Sequence, residues 1–239
     1  MLTFRTVSTF NCSKTYRNRK DIKFIVIHYT GMQSKRVSIL RLQSLRHKVS
    51  CHYLIDRKGK AIRMVEDNKI AWHAGKSKWR NIKNLNTYSI GIELVNKGHR
   101  LGFEDFTSPQ INKLIKICSH LRKKYNIKQS NILGHSDIAP LRKKDPGEKF
   151  PWKKMSRKRL GIWYPKLNQK FKNLSEKKTR ILFFKNLYKI GYRYFNKKKS
   201  NKKNDKLIVK AFQRRFEQNN VTGEINHKTL EISHFLAKY

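Results

Sequence analysis

The feature that most constrains the fold is an uninterrupted apolar run at residues 24–27 (FIVI), which ends on His28. A strand with one face in water alternates apolar and polar residues, so a continuous run is typical of a strand buried on both faces of a sheet. The other strands are predicted at 51–56 (CHYLID), 61–65 (AIRMV), 89–94 (SIGIEL) and 131–135 (NILGH), and the first two of these form a hairpin around the turn RKGK.

Two helices are predicted in the same region, over residues 36–47 and 108–125. In the first, Val37, Leu40 and Leu45 recur at near-helical spacing. In the second, a Ser-Pro pair suits the N-cap and the first turn, and apolar residues recur on one face. Strands mixed with helices indicate an α/β fold, in which a mixed central sheet is flanked by helices.

A second domain is predicted after a stretch between residues 153 and 175 that is dense in charged residues. We expect an α/β domain over residues 1–155 and a small three-helix domain over residues 156–239. A Lys/Asn-rich run at 197–206 separates the first two of these helices. The three helices are predicted near 177–190, 205–218 and 226–238.

The formal net charge of the 239-residue chain is +42. Such a surface favours polyanions, such as nucleic acid, anionic lipid or a wall polymer that carries carboxylates. The cations are scattered along the chain and form no single stripe, which weakens the interpretation as a nucleic-acid-binding surface. Compositional drift towards Lys and Asn explains the charge equally well, so both explanations stay open.

The cysteine content and the N-terminal sequence indicate the cellular compartment of the protein. The three cysteines show no C-x-x-C spacing, which argues against a disulfide framework. Residues 1–20 contain no apolar run of signal-peptide length, and no segment reaches the roughly 18 consecutive apolar residues that span a bilayer. We therefore expect a soluble, monomeric protein in the cytoplasm, with a periplasmic or wall-associated location as the alternative.

Polar residues at the ends of the apolar strands, or inside them, are the candidates for chemistry. His28 closes the first strand, and His135 follows the last strand and Gly134. Glu93 lies inside a strand on the face that it shares with Gly91, where the missing side chain leaves room for another group to approach. A buried carboxylate is costly unless it meets a cation or has a raised pKa, so Glu93 is expected to be paired or to act as a base.

The loop after His135 supplies two more candidates. Asp145 precedes Pro-Gly ten residues after His135, and two imidazoles with one carboxylate form the ligand set of a catalytic zinc, which leaves a fourth position for water. Lys143 lies two residues before Asp145, so in an extended loop both side chains point to the same side, where the amine can stabilise an oxyanion. Spacing alone is equally compatible with a solvated basic turn, and a lone strand-end histidine is more often structural than a ligand.

Five segments resemble, in their order and spacing, the zinc-dependent N-acetylmuramoyl-L-alanine amidases, the family shared with phage lysozyme-type amidases and peptidoglycan recognition proteins. They cover most of residues 20–155. The C-terminal sequence 208–238, with AFQRRF, resembles a peptidoglycan-binding domain of three helices, and a generic helical bundle is the alternative. The five segments are VIHYTG (26–31), SCHYLIDRKG (50–59), AWHAG (71–75), NTYSIGIELVNKG (86–98) and GHSDIAPLRKKDPGEKFPW (134–152).

The resemblance implies a role for each candidate. Glu93 matches the carboxylate that activates the attacking water, and Lys143 matches the lysine that stabilises the tetrahedral intermediate. His73 matches a residue that lines the substrate groove, and a structural histidine beside Trp72 is the alternative. The zinc ligands that it implies are His28, His135 and Asp145.

The implied reaction is hydrolysis of the amide between N-acetylmuramic acid and L-alanine, in peptidoglycan or muropeptides, for wall turnover or recycling. No implied ligand is substituted, which disfavours a metal-free recognition protein. The rival is a non-catalytic protein that binds wall fragments, or nucleic acid through its charge, although specific nucleic-acid binding is not expected. The zinc content of the purified protein separates these hypotheses.

Overall fold

A computed structural model describes residues 4–167, 171 and 174–239 of the chain. It is an α/β structure with a six-stranded central sheet, two small two-stranded sheets and flanking helices. The strands are β1 (Arg5–Thr6), β2 (Cys12–Tyr16), β3 (Phe24–Tyr29), β4 (Tyr53–Ile55), β5 (Ala61–Arg63), β6 (Lys69–Ala71), β7 (Lys78–Trp79), β8 (Ile82–Lys83), β9 (Ser89–Leu94) and β10 (Ile132–Gly134). The helices are α1 (Lys35–Gln43), α2 (Ser108–Lys124), α3 (His135–Ile138), α4 (Trp152–Arg157), α5 (Glu176–Ile190), α6 (Lys202–Phe216) and α7 (His227–Leu236).

The strand order of the central sheet is β1-β5-β4-β9-β3-β10. Strands β4, β9, β3 and β10 are mutually parallel, and the hairpin of β4 and β5 is antiparallel. The predicted mixed sheet and the predicted hairpin are therefore confirmed. Because the carboxyl ends of parallel strands meet at one edge, the polar residues close to the ends of β3, β9 and β10 come together there. In the register of β3 and β9, His28 lies opposite Glu93.

The two faces of the sheet are covered by different parts of the chain. Helix α2 covers one face, where its residues Ile111, Leu114 and Leu121 pack with Ile25 and Ile92 of the sheet. The C-terminal helices cover the other face. The core on that side joins Phe24, Val26 and Leu133 of the sheet to Phe183, Phe184, Phe212 and Phe216 of the helices. The uninterrupted apolar run in β3 is explained by this double burial.

Helix α1 differs from the prediction in length and in the residues that it buries. It ends at Gln43 because a 3-10 turn follows it, and the apolar residues that suggested it are exposed: Val37 by 45%, Leu40 by 59% and Leu45 by 62%. Ser38 and Leu42 are buried instead. The spacing indicated a helix correctly, but it did not identify the face that meets the protein.

The predicted helices in the C-terminal part are confirmed, with one boundary corrected. Helix α6 begins at Lys202, three residues before the predicted start at 205 and inside the run at 197–206 that is predicted to separate it from α5. The side chain of Asn201 caps it by accepting a hydrogen bond from the backbone N–H of Asn204, which gives this polar segment a defined helix start. In the part of the chain that is described, none of the helices combines the length and the apolar character that a membrane crossing requires.

Candidate active site

The candidate site lies at the carboxyl edge of the sheet, where His28 is the penultimate residue of β3 and β10 runs directly into α3, whose first residue is His135. The loop from His135 to Asp145 returns to its start because the backbone N–H of Ser136 donates a hydrogen bond to the carbonyl oxygen of Asp145 (2.8 Å). The two ends of the loop thus bring a histidine and a carboxylate together beside the end of β3.

Three polar atoms converge on one point. The Nδ1 atoms of His28 and His135 are 2.9 Å apart, and each lies 3.0 Å from Oδ2 of Asp145. All three residues are buried, with exposed fractions of 1%, 3% and 6%. Within the described residues, this is the group of histidine, cysteine and acidic side chains whose ligand atoms lie close enough together to hold a metal ion.

The chemistry of this donor set fits a cation. Nε2 of His135 lies 3.1 Å from the carbonyl oxygen of Ala74, which can only accept, so that nitrogen donates. In a neutral imidazole, Nδ1 then carries a lone pair, and it faces the carboxylate oxygen of Asp145 and the second imidazole. The lone pair of His135 Nδ1 and the carboxylate oxygen, 3.0 Å apart, repel each other unless a positive charge lies between them. A metal ion held by two imidazoles and a carboxylate meets that requirement.

Burial and the neighbouring charges set the ionisation of the group. Burial, the neighbouring His135 and the positive charge of Lys143 lower the pKa of His28 to about 4, so its imidazole is neutral near pH 7. Burial alone would raise the pKa of Asp145, but the two imidazoles hold it well below its usual range. The site therefore offers a neutral imidazole at His28 and an ionised carboxylate at Asp145, protonation states that suit a metal ion.

Glu93 lies beside the group and is not part of it. The residue is partly exposed to the cleft, but its Oε2 is buried and has no hydrogen-bond partner among the residues that the structure describes. Burial and the negative charge of Asp145 raise the pKa of Glu93 to about 8, and Lys143 opposes this shift. A carboxylate with a pKa near neutrality can both take up and return a proton.

His73 lies behind His28. Its Nδ1 is 3.0 Å from Nε2 of His28, and its Nε2 is 3.2 Å from Oγ of Ser89. The ring occupies the space over Gly91, where a Cβ atom would overlap it. The group that approaches Gly91, as the sequence led us to expect, is therefore His73. His73 is 8% exposed and borders the cleft. Its contact with His28 therefore exists in addition to any role in the substrate groove.

All six predicted residues line one cleft of about 760 Å³: His28, His73, Glu93, His135, Lys143 and Asp145. The cleft is strongly basic. Its wall contains Arg41, Arg100, Arg142 and Lys144 in addition to Lys143. These cations outnumber the two carboxylates of the lining, Glu93 and Asp145, so the cleft favours an anionic ligand.

Sequence reasoning missed a second polar group at the cleft. The hydroxyl of Tyr29 lies 2.8 Å from Nδ1 of His99, and Nε2 of His99 lies 3.0 Å from Oε2 of Glu148. Tyr29 follows His28, and Glu148 lies three residues after Asp145. The only signal in the sequence was this proximity to the predicted ligands, because contacts across 70 and 49 residues leave no local pattern.

Comparison with known proteins identifies the class. A family model described as N-acetylmuramoyl-L-alanine amidase matches residues 18–148. The Escherichia coli (strain K12) N-acetylmuramoyl-L-alanine amidase AmiD is 32% identical over 235 residues, which cover 91% of this chain and 83% of AmiD. The Haemophilus influenzae 1,6-anhydro-N-acetylmuramyl-L-alanine amidase AmpD is 32% identical over 155 residues, which cover 57% of this chain and 82% of AmpD.

Solved structures agree. The complex of Escherichia coli AmiD with the substrate anhydro-N-acetylmuramic acid-L-Ala-D-gamma-Glu-L-Lys matches with a TM-score of 0.77 and 29% identity, over 95% of this chain and 91% of that one. AmpDH3 from Pseudomonas aeruginosa matches with a TM-score of 0.78 and 28% identity, over 100% and 98%. The fold is thus that of an amide hydrolase. The chain belongs to the N-acetylmuramoyl-L-alanine amidase family.

Proposed function

We propose that the protein is a zinc-dependent hydrolase of the amide bond between N-acetylmuramic acid and L-alanine in peptidoglycan fragments. The observation that carries the proposal is the convergence of three buried donor atoms, from His28, His135 and Asp145, within 3.0 Å of one another beside Glu93. A zinc ion held by these three residues would polarise the carbonyl of the substrate and would lower the pKa of a water molecule towards about 7.

The residues of this chain supply the proton transfers and the positive charge. Glu93, with its raised pKa, takes a proton from the attacking water and returns it to the leaving amine of L-alanine. The amine of Lys143 faces the same cleft and stabilises the negative charge that develops on the carbonyl oxygen. The hydrogen bonds from Nε2 of His28 and of His135 keep both rings oriented.

The basic cleft supports a peptide substrate with free carboxylates. Arg41, Arg100 and Lys144 line the cleft, and stem peptides of the wall carry carboxylates that such cations attract. The AmiD relative is seen with an anhydromuramyl peptide, and AmpDH3 has been captured with anhydromuramic pentapeptide. We infer the same substrate class for this chain, with specific nucleic-acid binding playing no part.

The test is a digestion of purified anhydromuramyl peptides and of whole sacculi, with mass spectrometry of the released stem peptides and metal analysis of the protein. We expect release of peptides that begin with L-alanine and about one zinc per chain. Asp145→Ala should lose both zinc and activity, whereas Glu93→Ala should keep zinc and lose turnover by orders of magnitude. Full activity of a metal-free Asp145→Ala protein would refute the zinc mechanism.

A wall-binding role for the C-terminal helices also remains our proposal. A cavity of about 890 Å³ lies among them, with Arg180 and Phe184 of α5, Lys206 of α6 and His227 of α7 in its wall. Aromatic and cationic side chains in one wall suit a carbohydrate polymer with attached carboxylates. Arg180 is already paired with Asp205, so the exposed Lys206 is the side chain to replace. Sedimentation of Lys206→Glu with sacculi tests the role, and binding equal to that of the parent would count against it.

A further inference from the structure

The loop that carries two of the proposed ligands depends on contacts at both of its ends. His135 opens it and Asp145 closes it, and the single backbone hydrogen bond from Ser136 to Asp145 joins the ends directly. A displacement of either end by a fraction of an ångström changes the separation of the donor atoms. The fold must therefore hold both ends against the sheet.

At the first end, a buried acid connects the loop to the C-terminal helices. Oδ2 of Asp137, two residues after His135, accepts a hydrogen bond from the backbone N–H of Gly134 (2.8 Å) and forms an ion pair with Arg215 of α6. Arg215 also donates through Nη2 to the carbonyl oxygen of Ile132 in β10 (3.0 Å). Arg215 is 3% exposed and Asp137 is 1% exposed, so water does not screen this ion pair.

Two further contacts fix the same pair. The hydroxyl of Tyr192 donates to Oδ1 of Asp137 (2.5 Å), so both carboxylate oxygens are engaged. The guanidinium of Arg215 lies over the ring of Trp152, 4.2 Å from its centroid. Trp152 belongs to α4, which directly follows the loop region. The cluster thus links the turn at His135 to two helices that lie beyond residue 150.

The adjacent arginine of α6 contacts the second end. Nε of Arg214 lies 3.6 Å from Oε2 of Glu148, three residues after Asp145. Glu148 in turn contacts His99, which contacts Tyr29, the neighbour of His28 on β3. One residue pair of α6 therefore touches both flanks of the loop.

We propose that Arg214 and Arg215 are positioning residues for the metal-binding loop, so that helix α6 is a working part of the catalytic site in addition to any role in wall binding. The inference rests on the proposed zinc function, because the groups that the two arginines would position are the proposed zinc ligands. If α6 acted only as a separate wall-binding unit, two of its arginines would not be directed at the flanks of this loop. Loosening either contact leaves the donor residues in place but widens the range of their separations.

The test measures zinc transfer from the full-length, zinc-loaded protein to a chromogenic chelator, together with kcat and KM on an anhydromuramyl tripeptide. Arg215→Gln and Arg214→Gln are expected to lose zinc about 10-fold to 100-fold faster than the parent, if the usual loss of metal affinity on removal of a group that orients metal ligands appears in the rate of release. Arg215→Lys keeps one charged contact and should recover part of the loss. KM should change little, since the cations of the cleft remain.

Tyr192→Phe keeps the test valid if an arginine variant fails to fold. It removes one hydroxyl from the cluster and leaves the ion pair between Asp137 and Arg215 intact. It should release zinc severalfold faster with an unchanged circular dichroism spectrum. Lys203→Gln is the matched control, since Lys203 is an exposed cation of the same helix.

Folded variants whose zinc transfer stays within about twofold of the Lys203→Gln rate overturn the inference while the parent remains a zinc amidase. A parent that binds no zinc overturns the proposed function, and the inference falls with it.

Discussion

The substitution Glu93→Gln removes a carboxyl group whose pKa is raised by burial and by Asp145 from an ordinary 4.5 to about 8. The sign of the effect on stability follows from the two values. Below pH 4.5, Glu93 is protonated in both the folded and the unfolded chain and contributes nothing. Between pH 4.5 and 8 only the unfolded chain is ionised, so each pH unit lowers the free energy of unfolding by about 1.4 kcal/mol. At pH 7 the accumulated cost is about 3 kcal/mol.

The amide introduced by Glu93→Gln would be neutral at every pH and would escape this cost. The metal-free variant should therefore be more stable than the parent at pH 7 by up to about 3 kcal/mol, while the zinc-loaded variant loses its turnover. Urea unfolding in excess chelator, from pH 4 to pH 8, measures the difference between the two proteins. The informative quantity is the change of this difference with pH, because the new amide also adds a contribution to the free energy of unfolding that does not depend on pH.

Glu66→Gln serves as the control, since Glu66 is exposed and undergoes the same chemical change. Its difference from the parent should be flat across the range. A flat difference for Glu93→Gln as well would refute the reasoning, because it would mean that the folded protein ionises Glu93 as readily as the unfolded chain does.

Three further perturbations test other parts of the structure. Asp67 accepts hydrogen bonds from the hydroxyls of Tyr53 and Tyr125 (both 2.6 Å), which together with the amine of Lys124 hold its pKa below the usual range against the effect of burial. Asp67→Asn should cost about 1–3 kcal/mol in urea unfolding at pH 7. The loss should shrink as the pH falls below the ordinary 3.8 of the unfolded chain towards the lowered pKa of the folded protein. Gly91→Ala should cost about 1–3 kcal/mol and speed zinc loss, since its Cβ would displace His73; unchanged melting and zinc retention would contradict the close approach. Lys143→Met should lower kcat about 10²-fold to 10³-fold with little change in KM, and an effect confined to KM would assign the amine to substrate binding instead.

The sequence predicted the sheet edge well because the physics of a doubly buried strand is local. The apolar run before His28 and the alternation around Glu93 are visible in a few residues, and parallel strands then bring their ends together. The roles of these residues came from the family resemblance, since spacing alone left a structural histidine and a basic turn open. Helix α1 shows the limit of local patterns: periodicity placed Leu40 on a helix but gave no information on which face would meet the core.

The contacts that hold the metal-binding loop could not be predicted from the sequence for a different reason. Arg215 and Asp137 are 78 residues apart, and neither belongs to a local pattern that indicates the other. A search for charged residues at strand ends finds ligands, but it cannot find the groups that orient them from a distant helix.

The core of the molecule gives the C-terminal helices a part in the site. The change in composition near residue 155 suggested a domain boundary, which stays a prediction, yet the apolar cluster that buries Phe24 and Val26 is completed by Phe183 and Phe212 from beyond it. The strand face that carries His28 is therefore covered by the same helices that supply Arg214 and Arg215. Because burial of this face and restraint of the loop come from the same helices, a change that loosens their packing should lower stability and zinc retention together, whereas a change confined to the two arginines should affect zinc retention first.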